Sequence, residues 1–314
     1  MGDLEMPAVD VRGVTKRFGD RAAVDDLSFT VPRGSIFGFI GPNGSGKTTT
    51  IRMIMNILLP DRGAIAVLGE TDTRAARDRV AYLPEERGLY KRMTVRRLLA
   101  YYGTLKGGPV RKIEAAIDPW LERMGLSAYA DQKVESLSKG MSQKVQFVAT
   151  VIADPDLVIL DEPFSGLDPV NGEVLKEAVL DLRRREKTVI FSTHDMAMAE
   201  QLCDRICMVF KGKKVLDGTL EEIQRAHGED AAAGRRVVHV RSALDGAALS
   251  ALPGIREVHA RGTFHELHLQ GDPQELLLAL AAKGAVERFE LARPSLHEIF
   301  VRIARPEGEV YRHA

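Results

Sequence analysis

The chain has no net charge, few cysteines and no long apolar run, and each shortage excludes a class of protein. Its 44 basic and 44 acidic residues cancel, so charge gives no reason to expect nucleic acid or a membrane surface as the main partner. Two cysteines only four positions apart, Cys203 and Cys207, suit reduced thiols of a cytosolic protein better than a disulfide. Apolar runs such as residues 276–282 fall far short of the ~20 residues that cross a bilayer. Because the acidic N-terminus is also no secretion signal, we expect a soluble protein.

What the chain does have is room for two domains, with 314 residues of which 45% are hydrophobic. Strand and helix patterns alternate over residues 8–228, as in a mainly parallel sheet flanked by helices. Within that domain, apolar residues at helical spacing predict a helical insert over about 87–140. The alanine-rich stretch 229–234 resembles a linker. We therefore expect a second, smaller domain over residues 235–304.

The second domain shows a different order of elements, βαββαβ. Strand patterns cover Val237–Val240, a hairpin around Gly262, and residues 286–291. Asp272 followed by Pro273 is a good helix start, and Ser295 with Glu298 forms a capping box for a last helix. This order predicts a small α+β domain of ferredoxin-like type.

Histidines in the second domain raise the question of a metal site. His265 and His268 differ by three positions, so on a strand they face opposite sides of the sheet. We therefore interpret them as surface histidines rather than a pair of metal ligands.

The most informative stretch follows the short apolar segment Ile36–Ile40. It matches the phosphate-binding pattern G-x-x-x-x-G-K-[ST] and lies between a predicted strand and a predicted helix. Glycines allow a tight turn that aims backbone N–H groups at phosphate oxygens beside a helix N-terminus. The nucleotide-binding residues predicted here are Gly41, Pro42, Asn43, Gly44, Ser45, Gly46, Lys47, Thr48 and Thr49.

Two side chains of this stretch carry specific roles. Lys47 is expected to reach the terminal phosphates and to assist catalysis, and the Thr48 hydroxyl to ligate Mg²⁺. The sequence therefore predicts a protein that binds ATP with Mg²⁺.

A second nucleotide element is the apolar strand that ends in Asp161 and Glu162. A carboxylate at this place can hold the Mg²⁺ that bridges the phosphates, which is the role predicted for Asp161. The neighbouring Glu162 can accept a proton from an attacking water, so we predict it as the general base.

Between these elements, the segment Leu137–Met141 resembles the signature loop, L-S-G-G-Q, of ABC-transporter ATPases. Ser138 and Gly140 match this pattern, and Lys139 departs from it by adding positive charge. The resemblance implies that Ser138, Lys139 and Gly140 form a second phosphate cradle, which in this family faces the ATP held by another subunit.

The resemblance extends over residues 8 to about 228 and assigns three more residues. Phe18 occupies the place of the aromatic residue that stacks on adenine. Asp168 belongs to a loop similar to the one that crosses the dimer interface, and His194 falls where the family's histidine contacts the γ-phosphate. The implied fold is an α/β P-loop NTPase of ABC type with a small ferredoxin-like C-terminal domain.

One position departs from the common family pattern. The segment Tyr82–Glu85 aligns with a loop that usually carries a glutamine which touches Mg²⁺ and connects the site to the membrane subunit. Glu85 stands there instead, and we expect it to be a metal ligand with Thr48 and Asp161. A subset of the family, resembling sodium- and drug-extruding transporters, carries this glutamate and a similar C-terminal appendage.

The resemblance implies the ATP-hydrolysing subunit of an ABC transporter, acting mainly in export. Its implied partners are a second copy of itself and separately encoded permease subunits, which would hold it at the cytoplasmic face of the membrane; no nucleic acid is expected. The alternative is a soluble ABC ATPase that acts on ribosomes or DNA, although those proteins usually carry two cassettes or a long coiled-coil insert. A catalytically inactive regulatory partner is disfavoured by Glu162 and His194.

Overall fold

A computed structural model describes residues 6–72, 74–86, 88–227 and 235–304. The chain divides into two compact units, with the boundary between Leu220 and Glu221. The linker predicted at 229–234 lies outside the described residues. No helix within the four described ranges is long and apolar enough to span a membrane.

The first unit contains two sheets. Its strands are β1 (Val9–Phe18), β2 (Arg21–Val31), β3 (Ile36–Ile40), β4 (Arg62–Val67), β5 (Val80–Leu83), β6 (Leu157–Asp161), β7 (Thr188–Thr193), β8 (Arg205–Phe210) and β9 (Lys213–Gly218). The larger sheet has the order β5-β6-β7-β3-β8-β9. Its first five strands are parallel and only β9 is antiparallel. The smaller sheet, β2-β1-β4, is antiparallel.

Helices cover the larger sheet, and apolar side chains fill both of its faces. The helices of this unit are α1 (Lys47–Ile54), α2 (Val95–Leu105), α3 (Val110–Arg123), α4 (Lys139–Val151), α5 (Pro169–Arg184) and α6 (Met196–Leu202). One core contains Phe147 and Phe191, and the other contains Phe29, whose ring stacks 5.1 Å from that of Phe39. Burial on both faces explains why β3 and β6 consist almost entirely of apolar residues and why the middle of β7, residues 189–191, is apolar. The predicted α/β class is confirmed.

The second unit begins with α7 (Leu220–His227) at the boundary. It continues with β10 (Arg235–Ser242), α8 (Gly246–Ser250), β11 (Ile255–Arg261), β12 (Phe264–Gln270), α9 (Pro273–Lys283), β13 (Val286–Ala292) and α10 (Leu296–Ala304). Its sheet is antiparallel with the order β11-β12-β10-β13. This is the ferredoxin-like arrangement that the element order predicts.

Local capping explains why the helices of the second unit begin where they do. The Asp272 side chain accepts a hydrogen bond of 2.9 Å from Gln274 N at the start of α9. Before α10, Ser295 N donates to Glu298 Oε2 at 2.7 Å, and Glu298 N donates to Ser295 Oγ at 3.2 Å. These reciprocal bonds confirm the capping box. Each cap of this kind contributes about 0.5–2 kcal/mol.

Candidate nucleotide-binding and catalytic site

The phosphate-binding loop joins β3 to α1 and depends on two glycines. Gly41 has φ +153°, and a Cβ there would lie 2.2 Å from Val209 O. Gly46 has φ +108°, and a Cβ there would lie 2.5 Å from Ala23 O. Any larger residue would push the backbone away from these carbonyls, so the sequence needs glycine at both positions to fold the loop.

Lys47 lies inside this loop rather than on its surface. Its Nζ donates hydrogen bonds to Gly41 O at 2.6 Å and to Pro42 O at 3.3 Å, and the residue is only 6% exposed. Burial lowers the pKa of Lys47, and the nearby carboxylates, Glu162 foremost, oppose that lowering. The loop thus holds a desolvated cationic side chain at the N-terminus of α1.

Asp161, at the carboxyl end of β6, is brought beside Thr48 of α1. Thr48 Oγ1 donates to Asp161 Oδ2 at 3.4 Å, and the Tyr82 hydroxyl donates to the same oxygen at 3.3 Å. Burial raises the pKa of Asp161. A hydroxyl and a buried carboxylate side by side are the oxygen donors that Mg²⁺ prefers. The residues present therefore fit that ion.

Glu162 follows Asp161 in an uncommon backbone conformation, with φ +49°. Its carboxylate is fixed on both oxygens. Thr193 Oγ1 donates to Oε2 at 3.1 Å, while His194 N lies 2.9 Å and His194 Nδ1 2.8 Å from Oε1. His194 is thus placed against Glu162, at the end of the neighbouring strand β7.

These elements surround one cleft of about 490 Å³. Ten of the predicted site residues line it: Phe18, Asn43, Gly44, Gly46, Lys47, Thr48, Thr49, Glu85, Asp161 and Glu162. Phe18 is 54% exposed, which leaves its ring face available to a planar ligand. The parallel order of β3, β6 and β7 explains the convergence, because the carboxyl ends of parallel strands meet at one edge of a sheet.

Arg21 and Ala23 also line the cleft, although no sequence motif predicts either of them. Phe18 and Arg21 are paired across the hairpin that joins β1 to β2. The short Gly19–Asp20 turn between two strand patterns is the sequence signal that would have placed Arg21 beside Phe18.

Three of the predicted loop residues support the turn without lining the cleft. Gly41 and Ser45 are buried, and Pro42 is half-buried.

The signature-loop residues lie elsewhere, at the N-terminus of α4. The Ser138 side chain caps this helix by accepting a 3.2 Å hydrogen bond from Met141 N. A Cβ at Gly140 would lie 3.2 Å from Asn171 Nδ2 of α5, and Asp168 caps α5 by accepting from Asn171 N at 3.0 Å. Ser138, Lys139, Gly140 and Asp168 therefore form one surface, and none of them lines the cleft.

Two buried glutamines of α4, which belong to no predicted motif, connect this helix to the site. Gln143 Nε2 donates to Pro163 O at 3.0 Å, directly after Glu162. Gln146 Nε2 lies 3.4 Å from Pro84 O and 3.3 Å from Glu86 O, on either side of Glu85. Because other polar residues of α4, such as Ser142 and Lys144, stand beside them in the sequence, no sequence pattern marks these two glutamines as buried.

Comparison with known proteins gives consistent relatives for both units. The ABC transporter family matches residues 24–165, and the C-terminal domain family of DrrA1-3-like ATP-binding proteins matches residues 218–304. The chain is 43% identical to the uncharacterized ABC transporter ATP-binding protein YhaQ of Bacillus subtilis, over 92% of this chain and 95% of that one. It is 35% identical to Nod factor export ATP-binding protein I of Rhizobium sp. strain N33, over 96% and 98%.

Solved structures agree with the fold. An ATP-binding subunit of an ABC transporter superimposes with a TM-score of 0.66 and 32% identity, over 70% of this chain and 93% of that chain. CbiO1 of Clostridium perfringens, part of the CbiONQ complex, gives a TM-score of 0.62 at 22% identity, over 71% and 94%.

Proposed function

This chain belongs to the family of ABC transporter ATP-binding proteins, which are ATPases coupled to transport, and from that premise we propose that it powers export through separately encoded membrane subunits. The observation that carries the proposal is the single cleft in which Lys47, Thr48, Asp161 and Glu162 converge. The direction of transport rests on the similarity to Nod factor export proteins, which extends over almost the whole chain.

In this proposal, ATP and Mg²⁺ occupy the cleft together. Thr48, Asp161 and Glu85 would hold the metal ion, which would neutralise charge on the phosphates. Lys47 would bind the terminal phosphates. Phe18 would stack on the base, consistent with its exposed ring.

Glu162 is proposed as the general base for hydrolysis. The hydrogen bonds from Thr193 and the backbone of His194 fix its carboxylate before any substrate binds, and a preorganised base needs little rearrangement during the reaction. His194 would restrain Glu162 through Nδ1 and contact the γ-phosphate.

The placement of the signature loop supports a dimer. Because Ser138, Lys139, Gly140 and Asp168 share a surface outside the cleft, a second copy could present them to the ATP bound here. Two copies would then enclose two ATP molecules.

The membrane subunits would dock near Glu85 and the helical insert. Tyr90, Tyr101 and Tyr102 form a cluster there, with ring centroids 5.6–6.2 Å apart, and Tyr90 is 54% and Tyr101 41% exposed. Exposed aromatic clusters of this kind are typical of protein interfaces.

Fractionation tests the transporter assignment. When the chain is expressed with a multi-span membrane protein encoded beside its gene, we expect it to stay with the membranes. Tyr101→Ala should weaken that retention, whereas Val110→Ala, at an exposed position of α3 outside the tyrosine cluster, should not. A chain that distributes identically with and without the membrane protein would contradict the proposal.

The glutamate at position 85 gives a separate prediction. Glu85→Gln should remain active with a higher Mg²⁺ requirement, since an amide is a weaker ligand than a carboxylate for this cation. Glu85→Ala should uncouple ATP hydrolysis from transport in vesicles that contain the permease. The loop itself should persist, because Gln146 holds it through the backbone oxygens of Pro84 and Glu86.

Glu86→Ala is the matched control, because Glu86 is exposed and does not line the cleft. Unchanged transport by Glu85→Ala, measured beside this control, would show that Glu85 has no coupling role.

For domain organisation, we propose an ATPase domain over residues 8–228 and an accessory domain over 235–304 that regulates dimer closure. Helix α7 also contacts the accessory elements, since Gln224 Nε2 donates to Pro294 O at 3.1 Å and Arg302 to His227 O at 3.2 Å. A truncation should therefore end at Gly218, before this helix, to avoid exposing its buried Ile223.

The truncated chain, residues 1–218, should keep the ATP affinity of the full chain, because every residue that lines the cleft precedes Gly218. Its dimerisation or its permease-stimulated turnover should change. These are measured by nucleotide titration, light scattering and phosphate release. If all three remained the same, the accessory domain would have no regulatory role.

A further inference from the structure

One face of the sheet in the second unit carries polar side chains that the nucleotide chemistry does not use. Leu267 and Leu269 of β12 are buried in the core of this unit, so Glu266 and His268 point to the opposite face. On the paired strand β11, Val258 packs against the same core. Glu257 and His259 therefore share the outer face with His268.

The pairing of β11 with β12 brings three metal-binding groups together there. Glu257 is paired with His268, and His259 with Glu266, after a register shift between Ile255 and Glu257. The ligand atoms of Glu257, His259 and His268 all lie within 4.8 Å of one another. His259 Nε2 is 3.3 Å from Glu257 Oε2, and the two imidazole rings are 5.3 Å apart, nearly perpendicular.

We propose that Glu257, His259 and His268 bind one divalent transition-metal ion, with Zn²⁺ as the best fit. Zinc bonds of about 2.0–2.2 Å in a tetrahedral arrangement place neighbouring ligand atoms roughly 3.4 Å apart. The distance from His259 Nε2 to Glu257 Oε2 is already close to this value. The ligand atom of His268 lies within 4.8 Å of the other two, so a small rotation of side chains would bring all three to a common metal ion. Two imidazoles and a carboxylate suit zinc better than Mg²⁺ or Ca²⁺, which prefer oxygen ligands alone.

A fourth side chain supports the set from outside. Glu266 Oε1 lies 3.3 Å from His268 Nε2, and Arg261 Nε donates to Glu266 Oε2 at 3.2 Å. The carboxylate is thus anchored by arginine while it restrains the imidazole. Outer carboxylates of this type orient a ligating histidine and increase its basicity.

The site would cross-link two neighbouring strands at one edge of the sheet, because β11 is an edge strand. A metal at free concentration c that binds only the folded form stabilises it by RT ln(1 + c/Kd), which increases with the logarithm of the metal concentration once the site is saturated. Bound zinc should therefore stabilise the β11–β12 hairpin. This site is separate in sequence from the nucleotide cleft, so its test does not depend on the proposed ATPase mechanism.

The test uses the full chain without a polyhistidine tag, stripped of metals and free of nucleotide. Isothermal titration calorimetry with Zn²⁺ should show one saturable site. Titration with Co²⁺ should give the visible absorption of a four-coordinate ion with nitrogen ligands. His259→Gln and His268→Gln should each weaken zinc binding by about 10-fold or more and remove that absorption.

Two further variants make the result decisive. Glu257→Gln, at an exposed position, should also weaken binding while circular dichroism shows an unchanged fold. His297→Gln is the matched control, because His297 is an exposed histidine of α10 outside the cluster, and it should bind zinc as the original chain does. No saturable binding, or equal affinity in the His259→Gln, His268→Gln and His297→Gln variants, would overturn the proposal.

Discussion

Replacing Glu162 with glutamine should lower ATP turnover by about 10²–10⁴-fold, the usual contribution of a general base. Glutamine keeps the size of the side chain and one acceptor oxygen, enough for the hydrogen bond from His194 N, but it cannot accept a proton. ATP affinity should therefore be retained, and a dimer with bound ATP should accumulate. Phosphate release and light scattering measure the two effects.

Glu122→Gln provides the control for this variant. Glu122 is an exposed glutamate of α3 that does not line the cleft, so the same loss of charge there should leave turnover unchanged. If Glu162→Gln hydrolysed ATP as fast as this control, the assignment of Glu162 as general base would be wrong.

Lys47→Ala should weaken ATP binding by about 100-fold, because charge-assisted hydrogen bonds to phosphate are among the strongest in proteins. The folded protein should not lose stability in proportion. Burial already opposes the charged form of Lys47 and lowers its pKa, so removal of the side chain also removes a desolvation cost. Nucleotide titration and thermal unfolding, measured on the same sample, separate the two effects.

Lys112→Ala is the matched control, since Lys112 is exposed on α3. It should bind ATP as the original chain does. Equal ATP affinities in the Lys47→Ala and Lys112→Ala proteins would show that Lys47 does not contact the phosphates.

Those parts of the fold that depend on residues close together in the sequence could be predicted. The buried strands β3 and β6 appear as short apolar runs, and the caps at Asp272 and Ser295 mark helix starts that the structure confirms. The convergence of the phosphate-binding loop with Asp161 was also predictable, because motif spacing and parallel order together place both at one edge.

The missed residues depend on contacts between distant segments. Tyr82 reaches Asp161 only because β5 and β6 are neighbours, and Gln146 becomes informative only once α4 packs beside the loop around Glu85. The metal-binding set shows the same effect. On its own strand, His268 and the nearby His265 face opposite sides of the sheet. The pairing of β11 with β12, after its register shift, instead places His259 beside His268.

Helix α4 connects three functional segments that are far apart in sequence. Its N-terminus carries the signature loop, Gln143 holds the segment after Glu162, and Gln146 holds the segment around Glu85. A helix of 13 residues is about 20 Å long, and its continuous backbone hydrogen bonds make it stiff. A tilt of α4 would therefore displace all three segments together. The three segments would then move at the same time because one stiff helix joins them, and no series of side-chain rearrangements would be needed between them.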